Sequence, residues 1–118
     1  MSPKKGDPVA PPTIAEEWHI RYCTNEAIKG WHDLETRAGG NLRKAWEVMR
    51  DSPGPGSGKP CSRHSQLKGC LASGTHGGRE LPRWQIEVTG GDRIWYLLDV
   101  DGHTVWVQYA GGHPKATD

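Results

Sequence analysis

The sequence predicts an α+β domain of order β-α-α-β-β-β-β, a helical hairpin packed on one face of a mainly antiparallel, twisted sheet. Three observations lead there. Apolar residues at helical spacing are gathered between residues 25 and 50. Alternating apolar and polar stretches follow one another through the second half of the chain. Glycine pairs and an Asp-Gly step separate those stretches at hairpin distance.

The opening "MSPKKGDPVAPPT" carries charge, proline and glycine but no apolar run, so residues 1–13 read as a loose tail rather than a secretory signal. A single domain over 14–118 follows. "EEWHIRYC" alternates Trp18, Ile20 and Tyr22 with polar neighbours, a first strand. In "TNEAIKGWHDLETRAGG", Ala27, Trp31, Leu34 and Ala38 recur at helical spacing. Thr24 or Asn25 can cap that helix, and Gly39-Gly40 supplies a stop. "NLRKAWEVMRDSP" repeats the device, with Asn41 as cap and Leu42, Ala45, Trp46 and Met49 on one side. Pro53 ends it, and "PGPGSGKP" is a connector. "RHSQLKG" is a weak strand; "RWQIEVT", "DRIWYLLDV" and "HTVWVQYA" are strong ones.

Side-chain alternation sets the register. With Asp101-Gly102 as a two-residue turn, Leu98 pairs with Val105, Tyr96 with Val107 and Ile94 with Tyr109, a run of apolar pairs that should face the core. Ile86 joins that face opposite Ile94 only across a three-residue loop, Thr89-Gly90-Gly91, with a glycine in the left-handed position of a bulged turn. Glu87 then opposes Arg93, and Arg93 pairs with Ala110. Ile86, Ile94, Tyr96, Leu98, Val105 and Val107 should lie under the helices carrying Trp31 and Trp46. The opposite face holds Arg83, Gln85, Glu87, Arg93, Trp95, Leu97, Trp106 and Gln108.

With 15 Lys and Arg against 14 Asp and Glu, charge is balanced overall. It is unevenly placed, however. Between Asp51 and Glu80 there is no acidic residue, while Lys59, Arg63, Lys68, Arg79, His64 and His76 all fall there. That suits an anionic partner held at one place, or simply a solvated basic loop. Three cysteines do not make a disulfide framework and fit a reduced, cytoplasmic protein. No stretch approaches the ~18 apolar residues of a membrane span.

The face with Glu87 and Arg93 receives the end of the last strand, "AGGHPKATD", and so His113 and Lys115. Glutamate, arginine and histidine together suit RNA cleavage without metal or other cofactor. Glu87 would take the 2′-hydroxyl proton, Arg93 would hold the phosphate, and His113 would protonate the leaving 5′-oxygen. Histidine suits the last role because its ordinary pKa is ~6.5. Trp95 and Trp106 could stack bases, with Lys68, Arg83 and Lys115 as further substrate contacts. Other readings of the same residues stay open. Glu87 and Arg93 can be a plain cross-strand ion pair, and the tryptophans can lie under a partner or under the basic loop.

"LKG" followed by "RWQIEVTGGDRIWYLLDVDGHTVWVQYAGGHPK" resembles the C-terminal half of the RelE/ParE toxin superfamily. The Gly91-Asp92-Arg93-Ile94-Trp95-Tyr96 segment is the most specific part. With the first strand and helical hairpin in the family's order, the likeness covers about residues 16–118. It implies a RelE-like fold and a toxin of a type II toxin–antitoxin pair, inhibited by a cognate antitoxin protein. In the RelE branch such a toxin cleaves mRNA on the ribosome, and a Glu/Arg/His set is similar to that of the YoeB branch. The ParE branch shares the fold and instead poisons DNA gyrase, the first alternative. A zinc-bearing nucleic-acid module is the second, with Cys61, His64, Cys70 and His76 as ligand types in a spacing that fits no common finger.

Overall fold

A computed structural model describes residues 4–9, 17–51, 64–67 and 69–112 of the chain, with the backbone alone for His64, Ser65 and Cys70. Among the described residues, six strands, β1 (His19–Tyr22), β2 (His64–Gln66), β3 (Ser73–His76), β4 (Arg79–Glu87), β5 (Asp92–Asp99) and β6 (Thr104–Gly112), accompany one α-helical element, α1 (Asn25–Asp51), and a 3-10 turn at Gly69–Leu71. The sheet runs β1-β6-β5-β4-β2, and β3 pairs separately with β4. β1 lies parallel to β6 and the other pairings are antiparallel. The α+β class and the mainly antiparallel sheet agree with the expectation.

The two expected helical segments are present, merged across a kink, but the expected glycine loop between them is not formed. α1 continues through Gly39 and Gly40, and the break falls at Ala38 (φ −147°, ψ 46°). Twenty-seven residues of straight helix would span about 40 Å, more than the 34 Å of the molecule's longest axis. The bend at Ala38 therefore lets both halves lie on one sheet. Ala27, Trp31 and Leu34 from the first half and Leu42, Ala45, Trp46 and Met49 from the second all enter the same core. Thr24 is the cap, its hydroxyl accepting the Ala27 N–H at 3.0 Å.

Facing α1 are Trp84, Ile86, Val88, Ile94, Tyr96, Leu98, Val105 and Val107, all buried in that core. Ile86 opposes Ile94 and Glu87 opposes Arg93, as burial required. The turn between them differs in chemistry. Neither Gly90 nor Gly91 takes a left-handed φ. The Thr89 hydroxyl closes the turn, accepting the N–H groups of Gly91 (3.2 Å) and Asp92 (3.0 Å) and donating to the Asp92 carboxylate (2.8 Å). At the other end the left-handed residue is His103 (φ 53°) and not Gly102. Gly102 matters for space: a Cβ there would meet Asp99 Oδ2 at 2.7 Å.

β5 and β6 keep the expected pairs Leu98 with Val105 and Tyr96 with Val107, but Trp95 then pairs with Tyr109. Gln108 is the extra residue of a β-bulge. Its carbonyl accepts the Thr24 hydroxyl at 2.8 Å and its side-chain oxygen accepts Arg83 Nε at 2.8 Å, so both polar groups are satisfied. Beyond the bulge the expected register is overturned by one residue. Arg93 pairs with Gly111 and not Ala110, and Ile94 pairs with Ala110 and not Tyr109. The small Ala110 then faces α1 at Gly30, where any Cβ would strike the Ala110 carbonyl oxygen.

The described part of the expected loose tail is docked. Pro8 bridges Arg21, and the N–H of Val9 donates to the Ile20 carbonyl at 2.7 Å. Val9, 2% exposed, belongs to the core. The pairing covers the outer edge of β1, and an apolar residue among prolines had enough surface to gain by it.

Candidate functional site

Three neighbouring strands, β4, β5 and β6, present Gln85, Glu87, Arg93 and Tyr109 on the side of the sheet away from α1. Glu87 and Arg93 are directly opposed and half-buried, yet among the described residues they make no ion pair with each other. The Arg93 guanidinium leans along the sheet instead, its Nη1 lying 3.5 Å from Gln85 Oε1. Its Nε is buried with no hydrogen-bond partner. A desolvated, unpaired guanidinium N–H beside a free carboxylate is costly to hold, and an incoming anion would relieve it.

The other expected substrate contacts are turned inward. Trp95 is 6% exposed, donates its indole N–H to Gln85 Oε1 at 2.8 Å and meets Tyr109 edge-on at 6.4 Å. Arg83 spends its donors on Gln108 Oε1 (2.8 Å) and the Leu71 carbonyl (3.3 Å), with its guanidinium 5.8 Å from the Trp95 ring. Trp106 is half-buried, with the His76 ring tilted against it, centroid to centroid 4.1 Å. Neither tryptophan offers an open ring to a base. Lys68, His113 and Lys115 lie outside the described residues, as does Cys61 of the zinc alternative.

What covers this half of the face is β3, which sequence reasoning missed. Ser73–His76 has no apolar alternation and was hidden in a polar stretch. The signal was present in "THGGRE": Gly77 and Gly78 both take left-handed φ (60° and 79°), and His76 pairs with Arg79 across them, the demand of a tight two-residue hairpin. Gly74 lets the strand lie close, since a Cβ there would meet Arg83 Nη2 at 2.5 Å and Leu97 Cδ2 at 3.0 Å. His76 Nδ1 also comes within 3.5 Å of the Cys23 thiol. Burial pushes that thiol's pKa up, against the pull of Lys5, so it is a protonated partner and not an activated nucleophile.

Two buried carboxylates pin the site's borders. Asp92 receives Arg37 from α1 through Nη1 (3.2 Å) and Nη2 (3.0 Å). Those bonds, and then that of Thr89, hold its carboxyl below the usual range despite burial. Asp99 is raised by burial, but the Gly102 N–H and Arg79 outweigh that and leave it lowered. Arg79, one of the cations of the acid-free stretch, is thereby committed to Asp99 at 2.6 Å and lies 3.7 Å from Asp101. At the exit of β6, Tyr109 donates its hydroxyl to the Gly112 carbonyl at 2.7 Å, and Gly111 takes φ 137°. That anchors the chain one residue before His113.

Compared with family models, with curated proteins and with solved structures, the chain gives no match. The site is therefore read from its own geometry. Among the described residues no group of three or more His, Cys, Asp or Glu could hold a metal ion, and no described helix is long and apolar enough to cross a membrane.

Proposed function

We propose that the protein is the toxin of a type II toxin–antitoxin pair, a RelE-like, metal-independent endoribonuclease that cleaves mRNA on the ribosome in the cytoplasm. The observation that carries this reading is the Arg93 guanidinium, half-buried, with Nε unpartnered, opposite a Glu87 that does not neutralise it. Glu87 takes the proton of the 2′-hydroxyl, whose oxygen attacks phosphorus. Arg93 carries the charge that builds on the phosphoryl oxygens, and His113 returns a proton to the departing 5′-oxygen. The products are a cyclic phosphate and a free 5′-hydroxyl. The family resemblance of the sequence supports this reading and implies a protein antitoxin as partner.

One observation favours a second reading, a ParE-like inhibitor of DNA gyrase. The burial of Trp95 and the cover on Trp106 remove the stacking rings that an RNA site would use, and a protein target needs none. Primer extension on mRNA from cells expressing each variant separates the two. His113→Ala and Arg93→Ala should lower cleavage by about 10²–10⁴-fold and leave the fold intact, and Glu87→Gln should act likewise. Undiminished cuts from His113→Ala would remove the histidine from the mechanism. No cuts from the unaltered protein, with gyrase arrested, would establish the second reading. Zinc has less support, because His76 is already engaged by Trp106 and Cys23.

A further inference from the structure

We infer that Gln85 is a positioning residue for the Arg93 guanidinium, itself held in register by the indole N–H of Trp95. The inference rests on reading Arg93 as a phosphate clamp and extends that reading to how the clamp is aimed. Gln85 Oε1 accepts Trp95 Nε1–H at 2.8 Å and faces Arg93 Nη1 at 3.5 Å. Both neighbours are donors only, so the amide can be placed one way round. Trp95 cannot drift, being buried, edge-on to Tyr109 and near Arg83.

The chemistry of the brace is selective. A carboxylate at position 85 would also orient Arg93, but it would cancel the charge an anion needs. A neutral carbonyl orients without neutralising. Once its oxygen is committed, the Gln85 amide nitrogen, which has no partner among the described residues, projects two further donor hydrogens. The Arg93 Nε has none either. A phosphate group is the ligand class that takes converging donors of both kinds. Glu87, two residues along β4 on the same side, then stays available as a base rather than being consumed by Arg93.

Titration of inorganic phosphate into the full-length protein, followed on the Arg93 Nε–H resonance and assigned with Arg93→Lys, tests this. The unaltered protein should give a saturable shift. Gln85→Ala and Trp95→Phe should each weaken binding about tenfold or more, and the double variant little further, since the two act through one oxygen. Gln85→Glu, which keeps the acceptor and adds a charge, should weaken binding at least as much, an outcome that a purely structural role would not produce. Thermal melts verify folding, and if Trp95→Phe does not fold the two Gln85 variants decide. Phosphate binding by Gln85→Ala or Gln85→Glu equal to that of the unaltered protein, or no response from the latter, overturns the inference. A Gln85-dependent response in a protein that cuts no mRNA would leave the brace standing and remove the nuclease; mRNA cleavage with no such dependence would do the reverse.

Discussion

The two faces of the sheet are made by the same strands in alternation, and they are closed in different ways. On one, a bent helix lays Trp31, Leu34, Leu42, Trp46 and Met49 over Tyr96 and its neighbours, large apolar groups on both sides. On the other, the cover is four residues of β3, with Gly74 above Leu97 and the His76 ring against Trp106. That strand reaches only half the face. The half it leaves holds Gln85, Glu87 and Arg93. A small domain can thus bury the spare aromatic residues of a second face with a thin hairpin and keep beside it a polar corner that the hairpin does not cover.

Truncating a side chain should separate the two faces most. Tyr96→Ala should cost about 3–5 kcal/mol in denaturant unfolding, as large aromatic deletions in cores do. Trp106→Ala, only partly buried against the His76 imidazole, should cost roughly half of that or less. Equal losses would mean that the hairpin closes its face as firmly as the helix closes the other.

Adding a methyl group sharpens the same contrast. A Cβ at Gly30 meets the Ala110 carbonyl oxygen, part of a strand that cannot retreat without moving the sheet. Gly30→Ala should therefore cost about 3 kcal/mol, the upper part of the range for overpacking. At Gly74 the nearest atom is the end of the Arg83 side chain, which can swing aside, so Gly74→Ala should cost about 1 kcal/mol. Thermal or urea melts of the pair measure the ratio, and a reversed order would mean that the hairpin is the stiffer cover.

The smallest effect concerns the tie between the faces. Asp92, buried at the β4–β5 turn, is held by Arg37 of α1. Its folded pKa is depressed, so its stabilisation is present above the unfolded value of ~3.9 and is lost as pH falls through the lower, folded one. Asp92→Asn should flatten the acid limb of the stability curve and cost about 1 kcal/mol at neutral pH, Arg37 being partly exposed. An acid limb unchanged in that variant would move the pH dependence to Asp99.

Much of the fold was legible in local pattern. Among the described residues, period-two alternation identified four of the six strands, and β2 weakly, and burial alone selected the pairing of Ile86 with Ile94 and of Glu87 with Arg93. The site was legible in part. Glu87 and Arg93 follow from that register, but Arg83, Trp95 and Trp106 looked like surface groups because alternation marks a face without saying what lies over it. β3 was the missing cover, and its glycines and histidine carry no hydrophobic period.

The α+β class, most of the core and the opposition of Glu87 to Arg93 are legible in the chain itself, because each follows from neighbours a few residues apart or from a single hairpin; the choice of Thr24 over Asn25 as cap is not. Only the tertiary structure decided the rest. The bulge at Gln108 exists because Thr24 and Arg83, from α1's entry and from β4, are there to satisfy its polar groups. The bend falls at Ala38 rather than at the glycines because both helical halves must reach one sheet. Trp95 became a brace for Gln85 and not a platform because β4 and β6 bring Gln85, Arg83 and Tyr109 around it, contacts between residues far apart in the chain that no local pattern encodes.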